Sequence, residues 1–93
     1  GLRCSSVPYF YQVYYHLPSG AYVTEVFSGS GAEAQGIQTG DILLSLDGKN
    51  VSGGDDVTQI LYKKSIGDSL TAILYRSGKR YELTLTVEEN VWN

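Results

Sequence analysis

His16 and Cys4 are the residues that could act as a base and a nucleophile, since each is the only one of its type among the 93 residues. Nucleophilic catalysis needs a base beside the nucleophile and a third group that orients the base. His16 stands among tyrosines, Cys4 stands in a segment with strand character, and no serine lies in a Gly-x-Ser-x-Gly elbow. We therefore expect His16 to be a surface or loop-packing residue, Cys4 to be a packing residue, and the chain to contain no active site.

The remaining candidates for chemistry are carboxylates and a glycine-rich stretch. Aspartates at turns and helix starts bond nearby backbone amides, and five of them occupy such places: Asp41, Asp47, Asp55, Asp56 and Asp68. A single cysteine can form neither an intrachain disulfide nor a cysteine-based zinc site. Ser28-Gly29-Ser30-Gly31 lacks the Gly-Lys-Ser/Thr ending of a phosphate loop. We expect no metal and no cofactor.

Charge and hydropathy limit the partners. Seven basic and ten acidic residues give a net charge of -3, and the basic ones are spread along the chain, which argues against a nucleic-acid partner. No stretch approaches the roughly 20 apolar residues of a membrane span, so we expect no membrane insertion. The 42% of apolar residues is enough for one independently folding domain.

The elements that must position any site are mostly strands, because eleven glycines divide the chain into short segments rich in β-branched and aromatic residues. Asp47-Gly48 and Ser77-Gly78 are turn dipeptides, and the second predicts a hairpin. The predicted strands are Leu2 to Val7, Gly20 to Phe27, Asp41 to Leu46, Ser69 to Tyr75 and Tyr81 to Val87.

Two helices are predicted between these strands. Ala32 to Gln35 has room for one turn, with Ser30 as N-cap and Gly36 as left-handed C-cap. Residues 55 to 64 form the longest helix, with apolar residues at helical spacing, aspartates at its start and Lys63 and Lys64 at its end. The aromatic segment from Pro8 to Ser19 has no clear period, and it predicts a loop that packs on the domain body.

A small sheet with a free edge beside an amphipathic helix offers a groove where an extended peptide can add as a further strand. One ordered pattern runs through the chain: Gly20 to Val26, then Gly29 to Leu43 with its Ala-x-x-x-Gly-Ile-x-x-Gly-Asp spacing, then the Leu46-Asp47-Gly48 turn. Together with features of the C-terminal half, this pattern resembles the PDZ domains of bacterial HtrA-like serine proteases. It covers essentially residues 1 to 87, and Pro8 to Ser19 matches least.

The resemblance implies an α+β, PDZ-like fold: a small, partly open antiparallel β-barrel or sandwich of five to six strands with one short and one longer helix. It implies one PDZ domain over residues 1–93, with a core of about 1–87 and a frayed tail of 88–93, which belongs to a larger protease. From the residues themselves, Gly36, Gly40 and Asp41 shape the fold: they end a helix, permit a turn of unusual φ and bond that turn's amides.

Peptide-binding residues are also implied by the resemblance. Gly1 and Leu2 match the end of an apolar-Gly-apolar pattern whose amides receive a peptide's C-terminal carboxylate, and the residues before Gly1 would complete that loop. Leu2 and Cys4, with Arg3 between them, would line the pocket for the last peptide side chain, and Thr58 and Leu61 would form its opposite wall. Val57 and Ile60 are assigned to the core.

We expect a module that captures C-termini or extended hydrophobic segments by β-augmentation, for recognition or regulation in an HtrA-like serine protease of the bacterial cell envelope. Its partners would be peptides with an apolar C-terminus and the protease domain of the same parent chain. Two alternatives remain open at this point. One is a PDZ insert of a C-terminal processing peptidase or an intramembrane metalloprotease; the other is a purely structural docking domain.

Overall fold

The structure, a computed structural model, describes residues 2–28 and 31–87. Gly1, the proposed N-cap Ser30, and the predicted tail 88–93 with Trp92 lie outside the described residues. The elements, in chain order, are β1 (Leu2–Ser6), α1 (Tyr9–Tyr14), β2 (Ala21–Val26), α2 (Gly31–Ala34), β3 (Ile42–Leu46), β4 (Lys49–Asn50), α3 (Gly54–Tyr62), β5 (Ser69–Arg76) and β6 (Lys79–Thr86).

All strands form one antiparallel sheet in the order β1-β2-β3-β5-β6, and the short β4 pairs with β3. The turns after β3 and β5 are tight because Asp47-Gly48 and Ser77-Gly78 both adopt positive φ at each residue. The sheet stays open: β1 pairs with β2 alone among the described residues. The predicted α+β class with five to six strands is confirmed, and α1 is a helix beyond the two that were predicted.

The core lies between α3 and one face of this sheet. The helix contributes Val57 and Ile60, which join the buried cluster that includes Val23, Leu43 and Leu46. Along β2, Ala21 and Val23 are buried while Tyr22 and Thr24 are exposed, so this strand has an inner face toward α3 and an outer face toward solvent. The longer predicted helix therefore covers the inner face, as its apolar spacing requires.

Strand β3 departs from simple alternation. Sequence reasoning left open whether Ile42 and Leu44 or Leu43 and Leu46 enter the core. Ile42, Leu43 and Leu46 are all buried, and Leu44 is partly buried. Ile42 and Leu43 pair in regular register with Tyr75 and Leu74, so they face opposite sides of the sheet. The register then shifts between Leu43 and Ser45, which brings Leu43 and Leu46 to the same side, and this pair joins the core cluster.

Asp41 closes the loop before β3 and is 1% exposed. Its Oδ2 accepts a hydrogen bond from the Gln38 N–H at 2.9 Å. Arg76 donates from Nε to Oδ1 and from Nη2 to Oδ2, each at 2.7 Å. Gly36 and Gly40 flank this loop with φ of +99° and +95°, which confirms their predicted left-handed conformations. The pair with Arg76 was not predicted, because the two residues are 35 positions apart.

The segment from Pro8 to Ser19 is not simply a loop, because it contains α1. Pro8 lies at the N-cap with φ of -58°, and its carbonyl accepts the Tyr11 and Gln12 amides. Rings four residues apart pack on each other: the Phe10 and Tyr14 centroids are 5.3 Å apart, and those of Tyr11 and Tyr15 are 5.5 Å apart. No residue of α1 is buried, and the segment contacts the domain body through the partly buried Gln12, Leu17 and Pro18.

Helix α3 is close to the predicted range but begins at Gly54 and ends at Tyr62. Asp56 in its first turn accepts the Ser52 N–H and hydroxyl, each at 2.8 Å, and these hydrogen bonds lower the pKa of its carboxyl. Lys63 is the C-cap, and Lys64 pairs with Asp47 at 2.6 Å. Both lysines therefore follow the last residue of the helix, as the predicted charge pattern requires. Lys64 forms its ion pair with Asp47 in the turn between β3 and β4.

Candidate functional site

A groove of about 400 Å³ runs between β1 and α3, and we call it the β1–α3 groove. Strand β1 and the helix face each other here because α3 lies against β1, with Gly54 at the start of the helix next to Cys4. The groove contains side chains from β1, β2 and α3, and its lining is Arg3, Cys4, Thr24, Gly54, Asp55, Val57, Thr58 and Leu61.

Four residues predicted for peptide binding meet in this groove: Arg3, Cys4, Thr58 and Leu61. Thr58 and Leu61 lie one helical turn apart on α3, Thr58 exposed and Leu61 half-buried against the core. Leu2 lies in β1, and the structure describes the backbone of this residue only. Gly1 lies outside the described residues. The arrangement gives an apolar floor of Cys4, Val57 and Leu61, with the hydroxyl residues Thr24 and Thr58 beside it.

Cys4 is half-buried and packs against the core. Burial raises the pKa of its thiol from 9.0 to about 11, because the thiolate would lose its hydration there. At neutral pH the side chain is therefore a protonated, small, apolar group. This environment makes Cys4 part of the groove floor and opposes a role as a nucleophile, which needs the thiolate.

Charged and hydroxyl groups form the groove rim. Arg3 is exposed, and its Nε lies 3.6 Å from Oε1 of Glu25, while Asp55 occupies the first turn of α3. Thr24 is the extra residue where the β1–β2 register shifts between Arg3 and Cys4, and its hydroxyl donates to the Arg3 carbonyl at 3.1 Å. Sequence reasoning did not assign Thr24, Gly54 or Asp55 to the groove, and it placed Val57 in the core alone, whereas Val57 serves both.

The groove narrows toward the start of α3, where two glycines approach β1. A methyl group placed on Gly54 would lie 3.2 Å from the Cys4 carbonyl oxygen, and one on Gly53 would lie 2.9 Å from the Ser6 hydroxyl. Side chains at these positions would hold the helix away from the strand. The edge of β1 is consequently more accessible near Arg3 than near Ser6.

Neither a metal-binding cluster nor a membrane-spanning helix is found among residues 2–28 and 31–87. No group of three or more His, Cys, Asp or Glu side chains in this part of the chain is placed to hold a metal ion. None of the described helices has the length and apolar character that crossing a bilayer requires. His16, the predicted surface or loop residue, is exposed just after α1 with a φ of +57°.

Comparison with known proteins decides the family. The sequence matches the family model of the PDZ domain over residues 5–87. The chain is a PDZ domain. The matched residues, 5–87, contain every strand from β2 to β6 as well as α1, α2 and α3. The resemblance seen in the Gly36–Asp41 and Leu46–Gly48 motifs is therefore confirmed.

Relatives of this PDZ domain are serine proteases. The chain is 42% identical over 72 residues to Serine protease Do-like HtrB of Bacillus subtilis, a match that covers 76% of this chain and 16% of that protein. It is 32% identical over 74 residues to the periplasmic serine endoprotease DegP of Escherichia coli K12, covering 80% of this chain and 16% of DegP. The chain thus spans about a sixth of the length of these relatives.

Among solved structures, the HtrA3 PDZ domain bound to a phage-derived ligand, FGRWV, has the same fold. The two superpose with a TM-score of 0.78 at 22% identity, over 92% of this chain and 80% of that one. The fold class predicted from sequence, a PDZ-like α+β domain, is thereby confirmed in three dimensions.

Proposed function

We propose that this PDZ domain binds the C-terminus, or an extended apolar segment, of another polypeptide in the β1–α3 groove. The observation that carries the proposal is the position of β1, which pairs with β2 on one side and faces α3 on the other, without a further strand among the described residues. An extended segment can add at this edge, where backbone hydrogen bonds supply affinity and alternate side chains enter pockets.

Each lining residue has a role in this proposal. Leu2, Cys4, Thr58 and Leu61 would surround the last side chain of the segment, and the half-buried state of Cys4 and Leu61 supports an apolar specificity. Gly1 and Leu2 would present amides to the terminal carboxylate, and Arg3 would contact the segment at the rim. Because α3 begins against β1 at Gly54, a segment of more than a few residues must displace the start of the helix.

We further propose that the domain serves an HtrA-like serine protease outside the cytoplasm, where it recognises substrates or regulates the protease domain of the same chain. The 42% sequence identity to HtrB supports a serine protease as the full-length protein. The similarity to DegP, whose name describes it as periplasmic, supports a location outside the cytoplasm. In this proposal the PDZ domain has no catalytic step of its own.

Calorimetric titration tests the binding proposal. We expect micromolar affinity for a pentapeptide that ends in a free apolar residue, because a short added strand must offset the ordering of the peptide. The same peptide with an amidated C-terminus should bind much more weakly, since its carboxylate is lost. Absence of heat with every apolar-ending peptide, for this chain and for a natural form extended before Gly1, would overturn the proposal.

Proteolytic activity of the full-length protein tests the proposal that this domain recognises substrates for, or regulates, a protease domain. A natural form that includes the upstream domain should cleave an unfolded protein such as casein, and a bulky substitution at Thr58 should change the KM or the rate. Thr58 is exposed, so its replacement leaves the fold intact. A parent without proteolytic activity would exclude the protease role and leave peptide binding untouched.

A further inference from the structure

Strand β6 forms the second edge of the sheet, at the end opposite to β1. It pairs with β5 alone among the described residues, in an unbroken register along its whole length. Just after β6, the Val87 N–H donates to the Asp68 carbonyl at 2.9 Å and the Val87 carbonyl accepts the Gly67 N–H at 2.7 Å, so both groups point to the side of β5. Backbone groups alternate in direction along an antiparallel strand. The groups that point outward are therefore those of Arg80, Glu82, Thr84 and Thr86.

One end of this edge is closed by a side chain. The Thr86 N–H donates to Oε1 of Gln35 at 2.6 Å, and Nε2 of Gln35 donates to the Thr86 carbonyl at 3.2 Å. The Gln35 amide thus takes the place that a neighbouring strand would have at Thr86, on the outward side of β6. No other side chain of the described residues bonds the outward groups of this strand. The edge that is open for pairing runs from Arg80 to Thr84.

Side chains on the open edge carry opposite charges two residues apart. Arg80 and Glu82 are exposed, share one face of the strand, and form no ion pair among the described residues. Tyr81 lies on the other face, is 40% exposed, and has its ring centroid 5.5 Å from Cζ of Arg76. Charges on an edge strand repel strands that lack matching charges. They admit a strand that carries the matching charges in register.

A second copy of this chain carries those charges when two β6 strands run antiparallel with Tyr81 at the centre. Arg80 of each copy then lies opposite Glu82 of the other. Because both residues have outward backbone groups, the two opposed pairs exchange about four backbone hydrogen bonds in all. Thr84 lies opposite Gly78 in the hairpin turn of the other copy, so the contact ends before the Gln35 amide.

Other antiparallel registers oppose like charges. The two neighbouring registers that keep outward backbone groups together are centred on Glu82 or on Arg80. They place Glu82 opposite Glu82, or Arg80 opposite Arg80, and like charges directly opposite are destabilising. The register centred on Tyr81 is therefore the favoured one.

We propose that β6 is a self-association edge, at which two copies of this chain pair through antiparallel β6 strands into one continuous sheet with twofold symmetry. Each copy presents the same residues, as a twofold contact requires. The β1–α3 groove lies at the other edge of the sheet and stays free, so this inference does not depend on the proposed function. A contact of one short strand on each side is small, and the dimer is accordingly weak and dependent on concentration.

Sedimentation equilibrium with charge-reversal variants tests the edge and its register. We expect the wild type to pass from monomer to dimer between about 10 µM and about 1 mM, the range of weak association. Arg80→Glu and Glu82→Arg should each weaken the dimer at least tenfold, since each variant opposes like charges twice. The double variant R80E/E82R should restore it. A mixture of the two single variants should form a mixed dimer, because every opposed pair is then Glu with Arg.

Lys49→Glu is the matched control, because Lys49 is exposed in β4 and its reversal changes the net charge as much as Arg80→Glu does. It should leave the dimer unchanged. Hydrogen exchange locates the contact: the Arg80 and Glu82 amides should exchange more slowly at the dimer concentration, while the amides of β1 should not change. Circular dichroism checks that each variant folds.

Three results would overturn the proposal. The first is a wild type that stays monomeric up to about 1 mM, the weak end of specific association. The second is a dimer that the single reversals leave unchanged or that R80E/E82R does not restore. The third is slowed exchange in β1 instead of β6, which would place the contact at the groove edge.

Discussion

The corner around Asp41 and the β1–α3 groove differ in how completely their atoms find partners. Asp41 is almost fully buried, and both of its oxygens are bonded, to Gln38 and to Arg76. In the groove, Cys4 and Leu61 are half-buried and Thr58 is exposed. Asp41 belongs to the motif that indicated the family, whereas Cys4 lies before the matched residues 5–87. The comparison indicates that the most recognisable residues stabilise the fold, while the proposed ligand contacts come from less distinctive ones.

The largest expected effect comes from removing the carboxylate at the Asp41 corner. Asp41→Ala would leave the Arg76 guanidinium and the Gln38 amide without their acceptor. We expect the free energy of unfolding to fall by about 3 kcal/mol, the lower end for breaking a buried ion pair. Urea unfolding followed by circular dichroism measures it.

Asp55→Ala is the matched control, because Asp55 is exposed in the first turn of α3. Its loss should cost about 0.5 kcal/mol through the helix dipole. Similar costs for the two variants would show that the Asp41 corner does not stabilise the fold in the way described.

The second prediction distinguishes an effect on peptide affinity from an effect on the stability of the fold. Thr58→Trp should reduce peptide affinity at least tenfold, because the indole fills the space between α3 and β1, and this equals about 1.4 kcal/mol. The free energy of unfolding should change by no more than about 0.5 kcal/mol, since Thr58 is exposed. Titration and urea unfolding measure the two quantities. Gln59→Trp, one position along the exposed face and outside the groove lining, should leave affinity unchanged.

The third effect concerns pH and the thiol at the groove floor. The folded state raises the pKa of Cys4 from 9.0 to about 11, so it holds the thiol proton more tightly than the unfolded chain does. The stability from this protonated thiol is fully present below pH 9 and is lost as pH rises toward 11. Between these values, the free energy of unfolding should fall more steeply for the wild type than for Cys4→Ala. Parallel curves would show that burial does not perturb the thiol.

The smallest effect concerns the narrow end of the groove. Gly54→Ala places a methyl group 3.2 Å from the Cys4 carbonyl oxygen, closer than ordinary van der Waals contact. The added methyl group makes the close approach of α3 to β1 unfavourable, so the free protein favours a wider groove. Because the bound state needs this wider groove, we expect peptide affinity to rise about twofold, or about 0.4 kcal/mol. Weaker binding with an unchanged fold would show that a ligand does not require α3 to move away.

Local rules explain which parts of the fold the sequence predicts. The Asp47-Gly48 and Ser77-Gly78 turns and the Gly36 and Gly40 conformations follow from which residues tolerate positive φ. Helix α3 follows from its apolar spacing. Helix α1 was missed because aromatic residues favour a helix only weakly, although the spacing of Phe10 with Tyr14 was a visible signal for ring stacking along a helix.

By itself, then, the sequence determined the order of the elements, their turns and the family, because these depend on neighbours within a few residues. Tertiary structure alone decided which distant residues meet. Arg76, at the end of β5, meets Asp41 at the start of the neighbouring β3. The start of α3 meets β1 at Cys4, about 50 residues away. It also decided that Thr24 borders the β1–α3 groove, because a shift in strand register has no signature in the residues that make it. Such contacts depend on how the layers pack.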